Sequence, residues 1–407
     1  MWRRHLVTAR RIKWKRCWAK IRKERLEEMA ELPFITIINP IRNVERTIDT
    51  NLKYLLGVDY PKDKMEIVFG DGGSTDKTVE IIREWQKKYD LIKLVIVPNS
   101  KSPGEARNAA IKMAKGDYIL FTDGDCAPRV DWVKKILEPF FMDPKIGMVG
   151  GEIHTLRTDP NNDVEAYCEE TKFLTVSGRC LLTAEGYYPS LTKDLPHEMN
   201  GNMHSPFFAT ANAAVSKVAA DAIGREFWHE ITSEDVDFSL RILKKGFKLY
   251  YKPSAIVDHM HRVTLAAYCK QLFGYGFGHP LAVKKHAKKV LEIQLQYTPN
   301  YITAVIPFFM PGIIYIGDYH FMHAFGLALV INIIQTMVTG TATVWLAIWA
   351  ALFLVFLYRY FKPVAKLKPS SKFLTFAWIR YVSNWALMKG GFKGWKTFGV
   401  IYIESSW

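Results

Sequence analysis

The chain has 407 residues, of which 49% are apolar, and 55 basic against 40 acidic side chains give a formal charge of +15. This length predicts two or three folded units with sizeable cores, which excludes a disordered tail or a mini-scaffold. The basic excess is terminal, since residues 1–28 hold 11 Lys and Arg against 3 acidic residues and residues 359–407 hold 9 against 1. Basic ends around an apolar block favour a membrane surface over nucleic acid as the partner.

The first 32 residues carry Arg and Lys throughout, so they lack the apolar core of a signal peptide. Trp2, Leu6, Trp14 and Trp18 recur within them at mostly helical spacing. An apolar stripe on a basic helix is typical of a helix that lies on anionic lipid. Residues 1–32 are therefore predicted to form a basic amphipathic interfacial helix, with a frayed, solvated helix as the alternative.

From Pro33 onward, short apolar runs alternate with amphipathic helical patterns. Strands buried on both faces are predicted over 34–40, 65–72, 94–99 and 117–125. Helices are predicted over about 44–57, 75–89, 103–115 and 130–141. This rhythm predicts a parallel sheet with right-handed crossovers, on which ligands bind outside the carboxyl ends of the strands.

The segment that follows, 150–260, adds further strands and one helix. The strands are predicted over 148–156, 207–210, 247–251 and 255–259, and the helix begins in SEDVDFSLRILKKG. Residues 183–206 are rich in Tyr, Pro, His and Asn without periodicity. They are predicted to form a long loop, of the kind that is usually functional or mobile.

The most apolar part of the chain lies late. Residues 322–339 and 341–358 are predicted to form a hairpin of two transmembrane helices. An interfacial or re-entrant segment over about 299–319 is predicted before them, with three spans, or two spans that begin near 301, as alternatives. The tail over 373–407 carries Trp378, Trp385 and Trp395 among Lys and Arg and is predicted to form an amphipathic helix on the membrane surface.

Basic residues flank the apolar block on both sides. KKHAKK precedes it at 284–289, and Arg359, Lys362, Lys366 and Lys368 follow it. By the positive-inside rule, both ends face the cytoplasm and the number of crossings is even. The sequence thus predicts a multi-pass protein of the cell membrane, with a cytoplasmic catalytic domain and both termini in the cytoplasm. The predicted domains are 1–32, 33–280, a membrane region over 281–372, and the tail over 373–407.

Acidic side chains follow two of the predicted strands. Asp123-Gly124-Asp125 ends the fourth strand. Two carboxylates there can bind a divalent cation such as Mg²⁺ or Mn²⁺ and leave coordination sites of the cation open for phosphate oxygens. Alone, this triplet is also a common turn. The segment DGGSTD follows the second strand and begins a helix, whose backbone N–H groups suit a nucleobase and phosphates. A helix N-cap formed by Ser74 or Thr75 would also explain this segment.

Arg107 lies in the first turn of the helix predicted over 103–115, on the side of the same sheet edge. A guanidinium group there suits a diphosphate and, with a metal, would neutralise the charge of a leaving nucleotide. An ordinary surface charge is the alternative.

The order of these motifs resembles that of the family 2 glycosyltransferases over about residues 33–280. The series runs from Pro40 with Arg42, Asn43 and Glu45 through DGGSTD and GEARNAAIKMAKGDYILFTDGDC to SED. The resemblance implies a GT-A fold, which is an α/β, Rossmann-like mixed sheet with helices on both faces. It also implies that Pro40, Arg42, Asn43 and Glu45, together with the arginine of GEARN, bind a nucleotide sugar.

The resemblance further assigns roles to five acidic residues. Asp71 would bind the nucleobase, Asp123 the ribose or metal region, and Asp125 the metal that bridges the diphosphate. Asp235 would be the catalytic base, with Glu234 beside it. A carboxylate opposite the leaving group takes the acceptor's proton, and the start of a helix favours its ionised form. A single in-line displacement would invert the anomeric carbon.

Three more residues complete the predicted site. His259 is the expected third metal ligand, with a satisfied core histidine as the alternative. Asn212, in FATANAA, resembles the family's acceptor side and could equally be structural. Gln271 opens QLFGY where processive synthases carry Gln-x-x-Arg-Trp, so transfer of one sugar or a few is expected. Gly72 replaces the second Asp of the family's nucleotide motif.

These patterns lead to one hypothesis and two alternatives. The hypothesis is a metal-dependent, inverting hexosyltransferase that uses Mg²⁺ or Mn²⁺. Its donor is a nucleotide sugar, UDP-linked by family default or GDP-linked. Its acceptor is a polyprenyl phosphate, glycolipid or saccharide at the membrane. Membrane lipids are expected partners, and nucleic acid is not an expected partner. The alternatives are a processive synthase of the hyaluronan or cellulose synthase type and a noncatalytic membrane scaffold that binds nucleotide sugars.

Overall fold

The computed structural model describes residues 32–179, 182, 184–188, 207–297 and 300–404. The predicted interfacial helix over 1–32 lies outside the described residues except for Leu32, and so does most of the predicted loop over 183–206.

Strands and helices alternate in the first part of the chain. They are β1 (Ile35–Ile41), α1 (Ile48–Gly57), β2 (Met65–Asp71), α2 (Thr78–Gln86), β3 (Ile92–Ile96), α3 (Pro103–Met113) and β4 (Tyr118–Thr122). All four strands pair in parallel, in the order β3-β2-β1-β4. Every residue of β2 and nearly every residue of β1 is buried, because helices cover this part of the sheet. The predicted parallel sheet is confirmed here.

The second part of the chain completes a nine-stranded sheet. It contains β5 (Cys126–Pro128), α4 (Trp132–Met142), β6 (Ile146–Thr155), α5 (Asp163–Glu170), α6 (Val176–Arg179), β7 (Gly186–Tyr187), β8 (Asn212–Ser216), α7 (Lys217–Ala222), α8 (Glu234–Lys244) and β9 (Lys248–His259). The order continues from β4 as β8-β6-β9-β5, and β7 pairs with β9. Because β8 runs antiparallel to β4 and β6, the sheet is mixed and GT-A-like, as predicted.

Two predicted boundaries in this region were wrong. Residues 207–210 do not form a strand, since the chain joins the sheet only at Asn212. The two strands predicted over 247–251 and 255–259 are one strand, β9. Its pairing with β6 shifts register between Gly151 and Glu152, so a bulge absorbs Pro253, which has no N–H to donate.

The last part of the chain forms a second, smaller sheet and four long helices. The elements are α9 (Leu265–His286), β10 (Val290–Tyr297), β11 (Asn300–Pro307), β12 (Gly312–Ile316), α10 (Asp318–Thr339), α11 (Val344–Phe361), α12 (Phe373–Phe398) and β13 (Ile401–Ile403). The small sheet has the order β11-β10-β12-β13. The interfacial or re-entrant segment predicted over 299–319 forms β11 and β12, and no transmembrane helix begins near 301, because both strands pair with β10.

The helices α10 and α11 are long and apolar enough to cross a membrane, and few of their residues are buried. Their bounds agree with the two helices predicted over 322–339 and 341–358.

The helix α12 packs along α9 through glycines. A Cβ atom at Gly276 would meet the carbonyl oxygen of Leu387 at 2.1 Å, and one at Gly390 would meet that of Phe273 at 2.2 Å. Phe376 and other residues of α12 also belong to the main hydrophobic core. The tail therefore docks on the folded domain along one side, while Trp378 and Trp385 on its other side are exposed.

Candidate active site

The carboxyl end of the nine-stranded sheet brings Asp125 and His259 together. Cys126, at the start of β5, pairs with His259 at the end of β9, and the backbone N–H of Met260 donates to the carbonyl of Asp125. The His259 Nε2 atom consequently lies 3.4 Å from Asp125 Oδ1, and both side chains are buried. Arg262 Nη1 lies 3.5 Å from the other carboxylate oxygen and is partly exposed.

This pair fits a divalent cation. The candidate ligand atoms of Asp125, Cys126 and His259 lie within 4.8 Å of one another. His259 Nδ1 is buried and has no hydrogen-bond partner among the residues that the structure describes. Burial raises the pKa of the Cys126 thiol well above its ordinary value, which leaves a carboxylate and an imidazole as the ligands. Such a donor set suits Mn²⁺ or Mg²⁺ with phosphate oxygens completing the coordination.

Arg107 connects the end of β4 to the start of α8. Its Nη1 donates to Glu234 Oε1 at 2.6 Å and its Nη2 donates to Asp123 Oδ1 at 2.9 Å. The guanidinium group is buried and lies over the Phe227 ring, with 5.6 Å from its carbon to the centroid. Burial alone would lower the pKa of Arg107, but Asp123 and Glu234 outweigh it and raise that pKa. Burial also raises the pKa of Asp123, against the effect of Arg107.

The predicted role of Arg107 at a diphosphate stays a prediction, and the structure gives this residue protein partners. Both of its terminal nitrogens already donate to protein carboxylates. Arg107 therefore ties the Asp123 loop to the helix that carries Glu234 and Asp235.

Asp235 lies in the first turn of α8, directly after the left-handed residue Ser233 (φ 60°) and Glu234. Its side chain is partly exposed, and its Oδ1 accepts the N–H of Val236 at 2.8 Å. It is near enough to Arg107 to contribute to the raised pKa of that residue. The helix dipole at this end stabilises an ionised carboxylate.

A second carboxylate anchors α8. Burial would raise the pKa of Asp237, but a hydrogen bond with His286 and the charges of Arg241 and Lys285 lower it to about 2. Asp237 Oδ1 lies 3.1 Å from His286 Nε2, and Oδ2 lies 2.7 Å from Arg241 Nε. These contacts fix the first turn of α8 against α9 and so hold Asp235 in place.

The predicted nucleotide-binding residues lie together where β1 and β2 end. Asp71 is 1% exposed, and its Oδ2 accepts the N–H groups of Gly73 and Ser74, both at 3.0 Å. Asn43 Oδ1 accepts the N–H of Thr75 at 2.8 Å. Asp71 and Asn43 thus shape the DGGSTD loop.

Three other predicted residues lie beside this loop. Pro40 pairs with Gly70 across β1 and β2. Arg42 donates to the carbonyl of Ser100 at 2.8 Å, and Glu45 accepts the N–H of Lys77 at 3.2 Å. The structure therefore brings all of the predicted nucleotide-side residues to one edge of the sheet.

The two predicted acceptor-side residues lie on different elements. Asn212 is 1% exposed, its oxygen accepts from Trp132, and its amide donates to the carbonyls of Glu152 and Ala255. No polar atom of this side chain is left for a sugar, so Asn212 is a structural residue that joins three strands. Gln271 lies on α9, where its amide donates to the Tyr275 hydroxyl at 2.9 Å.

Asn51 and Thr47 were not predicted as site residues. The Asn51 amide donates to the carbonyls of Asp123 and Cys126, and Thr47 Oγ1 donates to that of Gly124 at 2.8 Å. Together they hold the backbone of the Asp123 to Asp125 turn. The available signal was a polar residue on the otherwise apolar buried face of α1.

Two family models match the chain. Residues 36–182 match the model described as glycosyl transferase family 2, and residues 118–362 match that of glycosyl transferase family group 2. The second match covers more than half of the chain. The chain belongs to the family 2 glycosyltransferases. The predicted family and the predicted glycosyltransferase activity are thereby confirmed.

Several known proteins are similar to this glycosyltransferase. The dolichyl N-acetyl-alpha-D-glucosaminyl phosphate 3-beta-D-2,3-diacetamido-2,3-dideoxy-beta-D-glucuronosyltransferase of Methanococcus voltae is 26% identical, over 82% of this chain and 98% of its own length. The probable glycosyltransferase YdaM of Bacillus subtilis is also 26% identical, over 66% of this chain and 60% of its own. The mannosyltransferase PcManGT from Pyrobaculum calidifontis, solved with GDP-Man and Mn²⁺, is 17% identical, with a TM-score of 0.42 over 89% of this chain and 74% of its own.

Proposed function

We propose that this enzyme transfers a sugar from a nucleotide-diphosphate sugar to a lipid-linked acceptor at a membrane, with inversion of the anomeric carbon. The observation that carries the proposal is that Asp125 and His259 lie together at one edge of the sheet. The ion pairs of Arg107 with Asp123 and Glu234, which form the Arg107 clamp, tie this edge to the start of the helix that holds Asp235. Donor-side and acceptor-side chemistry need to face each other across one reacting carbon, and this edge supplies both.

Asp125 and His259 would hold a divalent metal, Mn²⁺ or Mg²⁺, which offsets the charge that develops on the departing diphosphate. Arg262, partly exposed and 3.5 Å from Asp125, is the cation placed to contact the same phosphates. Arg107 acts indirectly by keeping Asp123 and Glu234 at fixed positions. The DGGSTD loop with Arg42, Asn43 and Glu45 would bind the nucleoside.

The proposed general base is Asp235. Its carboxylate accepts the proton of the acceptor hydroxyl as that oxygen attacks the anomeric carbon, and the bond from that carbon to the diphosphate breaks in the same displacement. Glu234 cannot take this role while its Oε1 accepts the buried Arg107. Attack from the face opposite the leaving group turns an α-linked donor into a β-linked product.

The acceptor is assigned from the surroundings of the site. The exposed apolar helices α10 and α11 would form a hairpin in the bilayer, with the catalytic domain on the cytoplasmic face. Leu374, Trp378, Trp385 and Phe392 form an exposed stripe on α12 that suits the headgroup region. The name of the Methanococcus voltae relative contains a dolichyl phosphate-linked sugar, which supports as acceptor a sugar that is carried on a polyprenyl phosphate and presents a hydroxyl group. A UDP-sugar is the proposed donor, and a GDP-sugar is the alternative.

The test is the substitution Asp235→Asn in the full-length protein in lipid. Loss of a general base is expected to lower the transfer rate by about 100-fold to 10,000-fold, measured with a labelled nucleotide sugar and a polyprenyl-phosphate-linked sugar whose hydroxyl is the acceptor. Donor binding, measured as a thermal shift with Mn²⁺ present, is expected to remain. Asp90→Asn, at an exposed position, is the matched control. Transfer at more than about a tenth of the normal rate would refute the assignment of the base.

A further inference from the structure

The small sheet carries an apolar face that points away from the protein. β10 contributes Leu291, Ile293 and Leu295 to one face, and β11 contributes Ile302, Ala304 and Ile306 opposite them in register. The matching positions of β12 and β13 are isoleucine or glycine. Because side chains alternate between faces along a strand, these residues share one surface, and none of them is charged or polar.

The opposite face of the same sheet covers the protein at β10, β12 and β13, whereas Val305 of β11 on that face is 44% exposed. Glu292 pairs with Ile313, so the two side chains lie on one face. Ile313 packs with Val283 of α9 and with Tyr402, and Glu292 is 2% exposed. The inner face therefore holds the polar residues of β10, and the outer face is left open. Leu295 is 36% exposed, Ile302 60% and Ile306 46%.

Two features indicate what covers the outer face. β12 leads through Gly317 directly into α10, the first of the two exposed apolar helices, with no linker between them. The far end of the sheet carries Lys288 and Lys289, and the backbone N–H of Phe308 donates to the carbonyl of Lys289. Phe309, beside Phe308, is 70% exposed. Lysines and aromatic rings at the rim of an apolar surface are typical of the membrane interface.

We propose that the outer face of this sheet lies on the lipid bilayer as an amphipathic β-sheet that docks the enzyme beside its hairpin. This inference rests on the membrane attachment in the proposed function. An aliphatic face without polar atoms gains by leaving water for the acyl boundary, and the lysines at its rim attract anionic headgroups. The sheet would thereby fix the tilt of the catalytic domain, and with it the height of the site above the headgroups.

The test uses the full-length protein in vesicles of four parts phosphatidylcholine to one part phosphatidylglycerol. An environment-sensitive fluorophore is attached to Ile302→Cys on the outer face, and to Thr303→Cys on the other face of the same strand as the matched control. Labelling of the parent protein through its native cysteines is subtracted. We expect a lipid-borne nitroxide to quench the Ile302 label about threefold more than the Thr303 label, and aqueous iodide to show the reverse order.

Two outcomes would overturn the proposal. If iodide quenches the Ile302 label as well as it quenches the Thr303 label, the outer face lies in water. If neither quencher reaches the Ile302 label, another protein surface, such as a second copy of the chain, covers the face. A label at Leu327→Cys, on the exposed side of α10, reports the hairpin separately. Lipid quenching at Leu327 without lipid quenching at Ile302 rejects the sheet and keeps the hairpin, and the reverse result rejects the hairpin and keeps the sheet.

Discussion

In the nine-stranded sheet, charged side chains gather at the carboxyl ends of the strands, whereas in the four-stranded sheet the one charged side chain among its described strands, Glu292, lies on the face that packs against α9 and α12. The first arrangement brings Asp125 and His259 together at one sheet edge and pairs Arg107 with the carboxylates of Asp123 and Glu234. The second turns an aliphatic surface outward and buries Glu292. One chain thus uses polar groups to build a reaction site and apolar groups to build a surface.

The buried carboxylates of the two regions also differ in how they are compensated. Glu234 and Asp237 each meet a cation, Arg107 in one case and Arg241 in the other. Glu292 accepts a hydrogen bond from the neutral amide of Gln294, and burial raises its pKa. The two buried carboxylates at the start of α8 are therefore paired with cations, whereas ionisation of Glu292 is disfavoured within the small sheet.

The largest expected effect is that of Asp125→Asn, which removes the charge from the proposed metal ligand. We expect transfer to fall by about 1,000-fold, because the diphosphate leaves without its full compensating charge. The thermal shift that Mn²⁺ produces in the presence of donor should disappear at the same time. Asp131→Asn, at an exposed residue after β5, should change neither measurement. An unchanged Mn²⁺ response in Asp125→Asn would remove this residue from the metal site.

The next effect concerns stability. Arg107→Met keeps the bulk of the side chain and leaves Asp123 and Glu234 without their cation. We expect a loss of about 3–5 kcal/mol in the free energy of unfolding, measured by urea titration in detergent. Arg129→Met is the control, because its salt bridge with Asp258 involves an arginine that is 45% exposed and is worth at most about 1 kcal/mol. An equal decrease of the free energy of unfolding in the two variants would show that the buried Arg107 clamp stabilises the protein no more than an exposed salt bridge does.

The strands β1 to β4 could be predicted from the sequence because each is an apolar run of strand length between turn residues. The motifs that follow them lie at one sheet edge for a topological reason, since parallel strands end together. The Arg107 clamp could not be predicted in the same way. Glu234 lies 127 positions away along the chain, and only the packing of α8 against the sheet brings it to the guanidinium group.

The small sheet shows a different limit of sequence interpretation. Its strands β11 and β12 contain apolar runs with prolines at their ends, which also suit a segment that lies in the membrane interface. The deciding signal was in β10, where Glu292, Gln294 and Gln296 alternate with Leu291 and Leu295. That period of two predicts a strand. The strands that pair with β10, which are β11 and β12, follow it in sequence and lack a clear alternation of polar and apolar residues. Only the paired structure therefore identifies which face of the sheet is outward.

The smallest expected effect tests the contrast between the carboxylates. A carboxyl group whose pKa is raised on folding costs stability at any pH above its unfolded pKa of about 4.3, because ionisation then favours the unfolded chain. Glu292→Gln removes that cost and keeps an oxygen that accepts from Gln294. We therefore expect the free energy of unfolding to rise by about 1 kcal/mol at pH 7, with a difference that shrinks as the pH falls toward 4.

The control for this measurement is Glu84→Gln. Glu84 is an exposed residue of α2 that forms an ion pair with Lys87. It should change the free energy of unfolding by less than about 0.5 kcal/mol. If Glu292→Gln instead destabilised the protein at pH 7, the Glu292 carboxylate would have to be ionised and paired with a cation. The buried carboxylates of the two regions would then be compensated in the same way. A gain at pH 7 that disappears in acid would confirm that the protein compensates charge at its reaction site and disfavours it behind its apolar face.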